Sequence, residues 1–520
     1  MATAPAMPSQ PPFRRLPQKG PDISVEHRAD GSILISSNHA MGTPARSIPH
    51  LMAEKAALHP DRPWLMQRAP NHGPWQGVTY GEGKAAADSV AQWLLDRGLG
   101  TNDAVMCISG NSVAHGILML GCFTAGVPIA PLSPAYSLNS TDHAKLKHCF
   151  NPVRPRSVFA ENAAQFERAF ATLRDLDSSL TLVTMDGGAG TIPFSDLTGT
   201  PATRAVDEAR DALTHETVGK YLFTSGSTGM PKGVPQHQGM FVNLIAASEG
   251  LRDDPDPVDH PISLDWMPWN HISAGTIHFN ANIAGGGTLY IDEGKPIPGM
   301  FETTIANLRE VSPMSFGSAP VAFAMLADAM ERDSTLRQAF FKNLRGMGYG
   351  GATLSDDLYD RMQALAIAET GERMPFTTMY GATETLGVTV VHWASERVGL
   401  IGLPLPCSTL KRVPNGAKLE VRVKGPTVTR GYHNDPEKTA AAFDEEGFYM
   451  LGDAAKFIDP ERPELGLVFD GRVTEDFKLS TGTWVSVGTL RPDICAACSP
   501  YIQDVVIAGQ DKPYIAILAW

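Results

Sequence analysis

Between residues 86 and 132 the apolar positions alternate between helical and strand spacing. Ala86, Val90, Trp93 and Leu94 recur on one helical face until Gly98 stops them, and AVMCIS at 104–109 reads as a buried strand. A second helix and the strand VPIAPL follow, and the same βα rhythm continues to about residue 330, with LTLV at 181–184 and TLYI at 288–291 as further strands. Such alternation predicts an α/β fold built on two doubly wound parallel sheets. Upstream, Ile23 and Val25 are answered by Ile33 and Ile35 across Asp30-Gly31, the pattern of a hairpin. From about 399 the texture changes to short strands with glycine turns, KLEVRVKG, GYHNDPEKTAAAFDEEGFYMLGD and GLVFDGRV, which predicts a small β-rich subdomain. After Arg472 a small α+β unit begins, with WVSV and DVVIAG as strands, and it is cut short at Trp520. The resulting division is an arm and hairpin at 1–45, an α/β core at 46–398, the β-rich subdomain at 399–471, and the start of a mobile C-terminal domain at 472–520.

Composition narrows the function classes. Lys and Arg number 43 against 56 Asp and Glu, a net charge of −13, so no basic footprint for nucleic acid or an anionic membrane exists and any anionic ligand must be held by local groups. The run AHGILMLGCFTAGVPIAPL at 114–132 contains His115, Pro128 and Pro131, and reads as a buried helix and strand rather than a membrane span. The proline-rich N-terminus lacks the apolar stretch of a secretory signal. Six scattered cysteines read as reduced core thiols, and Cys495-Ala-Ala-Cys498 has no second pair to complete a zinc site. A cytoplasmic enzyme, monomer or homodimer, is the expectation.

The chemistry concentrates at 221–234, YLFTSGSTGMPKGV. A strand at Tyr221–Phe223 runs into Thr224, Ser225, Gly226, Ser227, Thr228 and Gly229, closed by Pro231 and Lys232. Glycines let backbone N–H groups converge, hydroxyls add donors and an ammonium adds charge, a combination suited to polyphosphate. The spacing is not that of a Walker A loop, since Lys232 precedes Gly233 rather than Ser or Thr. A solvated polar turn would explain the serines and glycines but not the Pro-Lys-Gly that follows them.

The loop and the motifs after it resemble those of the adenylate-forming superfamily: acyl-CoA synthetases, luciferases and peptide-synthetase adenylation domains. LDWMPWNHISAG (264–275), YGGATLS (349–355), YGATET (380–385), GYHNDPEKTAAAF, FYMLGDAAKF and GRVTEDFKLSTG follow in family order, and the resemblance covers roughly residues 45–520. It implies that Thr224 to Lys232 hold the β- and γ-phosphates of ATP, and that Glu384 and the Thr224 hydroxyl ligate Mg²⁺. By the same resemblance Thr383 donates to the α-phosphate, Tyr380 and Gly381 border the adenine with Gly350, Gly351 and Ala352 as a backbone wall, and Asp453 accepts from the ribose hydroxyls with Arg472 assisting. Asp453 also fits an ordinary turn, and Glu384 a helix start. The implied reaction is attack of a carboxylate on the α-phosphate, release of pyrophosphate, then transfer of the acyl group from AMP to the thiol of coenzyme A. The family rotates its C-terminal domain between these steps, about a hinge that would fall at Val473–Glu475.

Within the superfamily the likeness is greatest to bacterial feruloyl-CoA synthetases, carried by SGNSVAHGILMLGCFTAGVPIAPLSPAYSL, DWMPWNHISAG and RVTEDFKLSTGTWVSVGTLR. It implies a hydroxycinnamic acid, ferulate or its analogues p-coumarate and caffeate, as substrate, within phenylpropanoid catabolism. Trp269, His271, Phe279 and Phe316 could line an aromatic slot, with His271 as gate, although aromatics near a sheet are usually core. Gly482 falls ten residues after Arg472, a spacing similar to long-chain acyl-CoA synthetases and carboxylate reductases, and it makes a long-chain fatty acid the alternative. Loading of a carrier in place of coenzyme A is the other. Lys478 falls where the family places a lysine for the second half-reaction. The lysine of the first half-reaction would lie beyond Trp520, so residues 1–520 are expected to adenylate poorly.

Overall fold

Three large sheets organise the chain. The computed structural model describes residues 10–519 except 189, 226–229, 255–257, 353, 417, 474, 486, 499–501, 503 and 504. The first sheet has seven strands in the order Pro231–His237, Val218–Ser225, Ile129–Pro131, Val105–Cys107, Ser157–Ala160, Thr181–Thr184 and Ile192–Pro193. All neighbours are parallel except the hairpin pair at the Pro231–His237 edge. The second sheet also has seven strands, in the order Phe376–Thr377, Gly346–Tyr349, Ser315–Ser318, Ile262–Asp265, Thr288–Ile291, Pro63–Arg68 and Trp75–Thr79. It too is parallel except for one hairpin at its edge. The expected doubly wound pair is therefore present, with strands Val105–Cys107, Ile129–Pro131, Thr181–Thr184 and Thr288–Ile291 inside the candidates at 104–109, 127–132, 181–184 and 288–291.

The membrane-like run forms the helix Val113–Ala125 and the strand Ile129–Pro131. Ser112 caps the helix by accepting from the His115 N–H, and Gly126, at φ +70°, ends it in the left-handed conformation that favours glycine. Every residue from Ala114 to Ala125 is buried, because the helix touches strands of both parallel sheets and the helix Tyr80–Asp96. Cover on all sides explains an apolar run that would otherwise read as a span. No helix among the described residues is long and apolar enough to cross a membrane.

The third sheet is antiparallel and has nine strands. Its core follows the texture expected after residue 399, with Lys418–Lys424, Tyr449–Phe457 and Leu467–Arg472 adjacent. The N-terminal hairpin, Ile23–His27 with Ile33–Ser37, joins this sheet by pairing Ile33–Ser36 with Thr409–Arg412. A lone hairpin is marginal in water. Here Ile35 is fully buried among Leu410, Val421 and Val423.

Two segments differ from the strand pattern. Within GYHNDPEKTAAAF, Pro436–Ala442 is a helix, because Asp435 accepts from the Lys438 N–H and Pro436 fits the first helical position. Only Trp484–Val485 of WVSV is strand; the helix Val487–Ala497 starts immediately after, and its Val487 N–H is taken by Asp476 Oδ1 at 3.0 Å. The segment after Arg472 docks on the third sheet through Lys418 and Asp476, 2.5 Å apart, and through Gly488 against Gly471, where a side chain would have no room.

Candidate active site

The phosphate-type loop is the turn of an antiparallel hairpin in which Thr224 pairs with Lys232 and Ser225 with Pro231. Gly226, Ser227, Thr228 and Gly229 lie outside the described residues. The hairpin fixes the bases of the loop, and Pro231 is secured by His148, whose Nε2 lies 2.8 Å from its carbonyl. The Lys232 ammonium lies 5.2 Å from the centre of the Tyr432 ring.

Tyr432 links that lysine to the YGATET segment. Its hydroxyl donates to Glu384 Oε1 at 3.0 Å and lies 2.9 Å from the Tyr449 hydroxyl. Burial, then the Glu384 charge, pushes both phenols above their ordinary pKa, so they act as donors toward the carboxylate throughout the working pH range. Sequence reasoning missed Tyr432 and Tyr449, although both lie in quoted motifs; the signal would have been the acidic and basic residues their motifs accompany. Glu384 itself is buried and its carbonyl accepts from the Thr429 N–H. Among the described residues Glu384 Oε1 meets a neutral hydroxyl, and this carboxylate and the Thr224 hydroxyl are oxygen donors of the kind that would hold a magnesium ion, which would neutralise phosphate charge. Among the described residues no three His, Cys, Asp or Glu side chains cluster as a dedicated metal cage.

Thr383 and Glu384 are presented by a tight turn. Thr385 closes it, accepting from the Ala382 N–H through its hydroxyl at 2.9 Å and donating its own N–H to the Ala382 carbonyl at 3.0 Å. The turn forces Leu386 to φ +54°, a left-handed conformation unusual for a bulky residue and costing on the order of 1–3 kcal/mol. The Gln236 side chain holds the turn from behind: its amide donates to the Thr383 carbonyl at 3.0 Å while its oxygen accepts from Thr276 at 2.9 Å.

The expected ribose group assembles in the third sheet. The Tyr380 hydroxyl donates to Asp453 Oδ2 at 2.7 Å, and Arg472, paired with Asp453 across two strands, brings Nε within 3.1 Å of Oδ1. That guanidinium is not aligned for a hydrogen bond, so Oδ1 is a buried acceptor still open to a hydroxyl. Burial raises the Asp453 pKa against the opposing pull of Tyr380 and Arg472. Gly381 meets the Leu386 carbonyl where any side chain would collide. Gly350, Gly351 and Ala352 are exposed beyond the end of Gly346–Tyr349, and both glycines face open space. Lys478 is on a separate two-stranded hairpin, Phe477–Lys478 with Trp484–Val485, not on the three sheets that carry the other candidates. Of the segment expected to be a hinge, the Val473 N–H donates to the Gly452 carbonyl, and Thr474 lies outside the described residues.

Beside this group opens a cleft of about 550 Å³ between the helix Gln238–Gly250, a π-helical turn at Ser273–His278 and the second sheet. Phe316 lines it, with Phe241, Leu244, Gly317 and Gly348. Trp269 and Phe279 do not: Trp269 packs against His115 and Phe279 at 5.3 and 5.1 Å and closes over Gly116, which places both aromatics in the core rather than in a slot. His271 is exposed before the π-turn, its Nδ1 2.9 Å from the Ser273 hydroxyl, and it is not part of the cleft lining. The lining also carries polar residues that the sequence did not single out, among them Asp265 and His278, joined at 2.8 Å, and the ion pair Arg345–Asp254.

Comparison with known proteins shows the family and the fold. The chain is 27% identical over 402 residues to phenylacetyl-CoA ligase epaB of Aspergillus niger, covering 73% of this chain and 70% of that one. It is 26% identical over 519 residues to the non-canonical nonribosomal peptide synthetase CymA of Salinispora arenicola, 96% of this chain but 6% of that protein, and it spans 26% of a carboxylic acid reductase of Segniliparus rugosus. The ATP-bound crystal structure of MatB from Rhodopseudomonas palustris shares the fold, with a TM-score of 0.71 at 21% identity over 91% of this chain and 87% of that one. The sequence profile of the AMP-binding enzymes runs from residue 52 to 433, through the hairpin loop, the strained turn and Tyr432 alike, and the chain belongs to that family.

Proposed function

We propose that the protein activates a carboxylic acid with ATP and passes the acyl group to a thiol, with coenzyme A as acceptor and a hydroxycinnamic acid such as ferulate as substrate. What supports the reading is one line of contacts, Lys232 to Tyr432 to Glu384, beside an open acceptor on Asp453 and an apolar cleft. The acid's carboxylate attacks the α-phosphorus, the α–β bridge bond breaks and pyrophosphate leaves; the thiol then attacks the acyl carbon and AMP leaves. A bound magnesium ion supplies charge neutralisation to the phosphates. Lys232 and Thr383 supply positive charge and a donor, and the work is positioning rather than general base catalysis. On this reading 46–398 is the adenylation core, 399–471 its β-rich subdomain and 472–520 a unit that turns at Val473–Glu475, in a cytoplasmic enzyme.

The deciding measurement is pyrophosphate exchange with a panel of acids, followed by the mass of the product formed with coenzyme A. Ferulate-dependent exchange and feruloyl-CoA support the proposal, whereas exchange only with palmitate assigns a long-chain acid. The alignment of 96% of this chain with a segment of a peptide synthetase favours a second reading, loading of a carrier thiol. Acyl-AMP that persists with coenzyme A but is consumed by a phosphopantetheinylated carrier would select it.

A further inference from the structure

The cleft is apolar along most of its walls, yet Asp265 and His278 stand inside it. Asp265 ends the strand Ile262–Asp265, and one of its oxygens accepts from the Met267 N–H at 2.8 Å while the other meets His278 Nδ1 at 2.8 Å. His278 closes the π-helical turn, a local widening often found where a helix carries function. The edge of its ring faces Gly317, which has no side chain to cover it; a Cβ there would sit 3.6 Å from His278 Cε1. Its Nε2 has no hydrogen-bond partner among the described residues, and the side chain is 43% exposed. Burial opposes a charge on His278, but the bond to Asp265 outweighs it and raises the pKa.

Position in the sheet gives the pair a role. Ser263 is level with Ser315, so Asp265 is level with Gly317, which pairs with Gly348. Gly348 is two residues inside the edge where Gly350 and Gly351 open, roughly 7 Å at strand rise. From that level the cleft continues to Met314 and Arg345, so a longer acid has room to run past the pair.

Resting on the acid-activating reading above, we propose that Asp265 and His278 form the subsite that recognises a hydroxyl on the body of the acid, and so select a hydroxylated acid over an unsubstituted one. With Nδ1 committed to Asp265, neutral His278 offers Nε2 as an acceptor and protonated His278 offers Nε2–H as a donor. A hydroxyl can answer either state. A second carboxylate only accepts, and the Asp265–His278 pair carries no net positive charge to attract it. An aliphatic chain leaves a desolvated polar pair unanswered, the situation that lets a polar site reject an apolar analogue more strongly than an apolar site rejects a polar one.

The test is pyrophosphate exchange by the full chain with 4-hydroxycinnamate and cinnamate, which differ only in the hydroxyl, comparing wild type, His278→Leu and Asp265→Asn. Asp265→Asn keeps an acceptor for the Met267 N–H, and melting temperature with and without ATP reports that each variant is folded. The expected result is a wild-type preference in kcat/KM of about tenfold to a hundredfold for the hydroxylated acid, falling toward unity in both variants, with His278→Asn recovering part of it. A wild-type ratio near unity, or a ratio unchanged by both substitutions, overturns the subsite while leaving acid activation standing. No exchange with any acid, together with no saturable binding of either acid by the folded, ATP-bound wild type in calorimetry, overturns the acid-activating reading and the subsite together.

Discussion

The two seven-stranded sheets are built alike, six parallel strands and one antiparallel edge strand each, yet they carry different halves of the chemistry. In the first sheet the edge hairpin itself is the candidate site, the glycine- and serine-rich loop connecting Thr224 and Lys232. In the second sheet the edge hairpin, Pro63–Arg68 with Trp75–Thr79, is closed by packing, with Arg68 stacked 4.1 Å over Trp75, and the chemistry lies instead in the cleft over the sheet. Architecture therefore does not assign function here. On the proposed reading the loop between Thr224 and Lys232 takes the charged end of the reaction, whereas the walled space over buried strands sorts acids.

The comparison breaks most easily at the charged end. Glu384→Gln keeps the shape and the Tyr432 contact but removes the anion, and it is expected to lower pyrophosphate exchange by about a hundredfold to a thousandfold. Excess magnesium should restore part of the loss. Exchange within a few-fold of wild type would mean that the phosphate end is organised elsewhere. Asp453→Ala removes the carboxylate that faces Tyr380 and Arg472, and is expected to raise KM for ATP about tenfold to a hundredfold with a smaller change for the acid. Equal changes for both substrates would show that Asp453 holds the fold rather than the nucleotide.

Legibility in the sequence differed between the two halves for the same reason. The residues proposed to bind phosphate are contiguous, because a loop delivers its own N–H groups and hydroxyls, and Thr224 to Lys232 could be read as a unit. The cleft is assembled from positions far apart, Phe241, Asp265, His278, Phe316 and Gly348, and nothing local marks them. Trp269 looked more promising than His278 because it is aromatic and stands beside His271, but bulk that fills a core and bulk that lines a slot have the same sequence signature. Strands in the parallel sheets were legible because burial on both faces gives unbroken apolar runs such as LTLV and TLYI. The helix Pro436–Ala442 was hidden by glycine turns on both sides, and the strain at Leu386 has no signature in residue type.

Gln236 and Lys220 join the halves, since both stand on the first sheet's hairpin and reach the π-turn that walls the cleft of the second. Gln236→Leu strands the Thr383 carbonyl and the Thr276 hydroxyl, an expected loss of about 1–3 kcal/mol in transition-state stabilisation, read as kcat with little change in KM for ATP. A pure KM effect would instead assign Gln236 to nucleotide binding.

Lys220 gives the smallest effect on turnover and the most specific signature. It is fully buried, its ammonium group donates to the Gly275 carbonyl, and burial pushes its pKa down from 10.5 to about 7. Between those two values the unfolded chain binds a proton that the folded chain does not, so wild-type stability rises with pH across that window, by at most about 1.4 kcal/mol per pH unit. Below about pH 7 both states are protonated and the slope disappears. Lys220→Met removes the titrating group while filling the same space, so its stability relative to wild type should be highest near pH 7 and decline steadily toward pH 10. Denaturant midpoints measured at pH 7, 8, 9 and 10 on both proteins give that difference directly, with groups common to both cancelling. A difference constant with pH would place a charged lysine, already neutralised by its surroundings, at the joint between the two sheets.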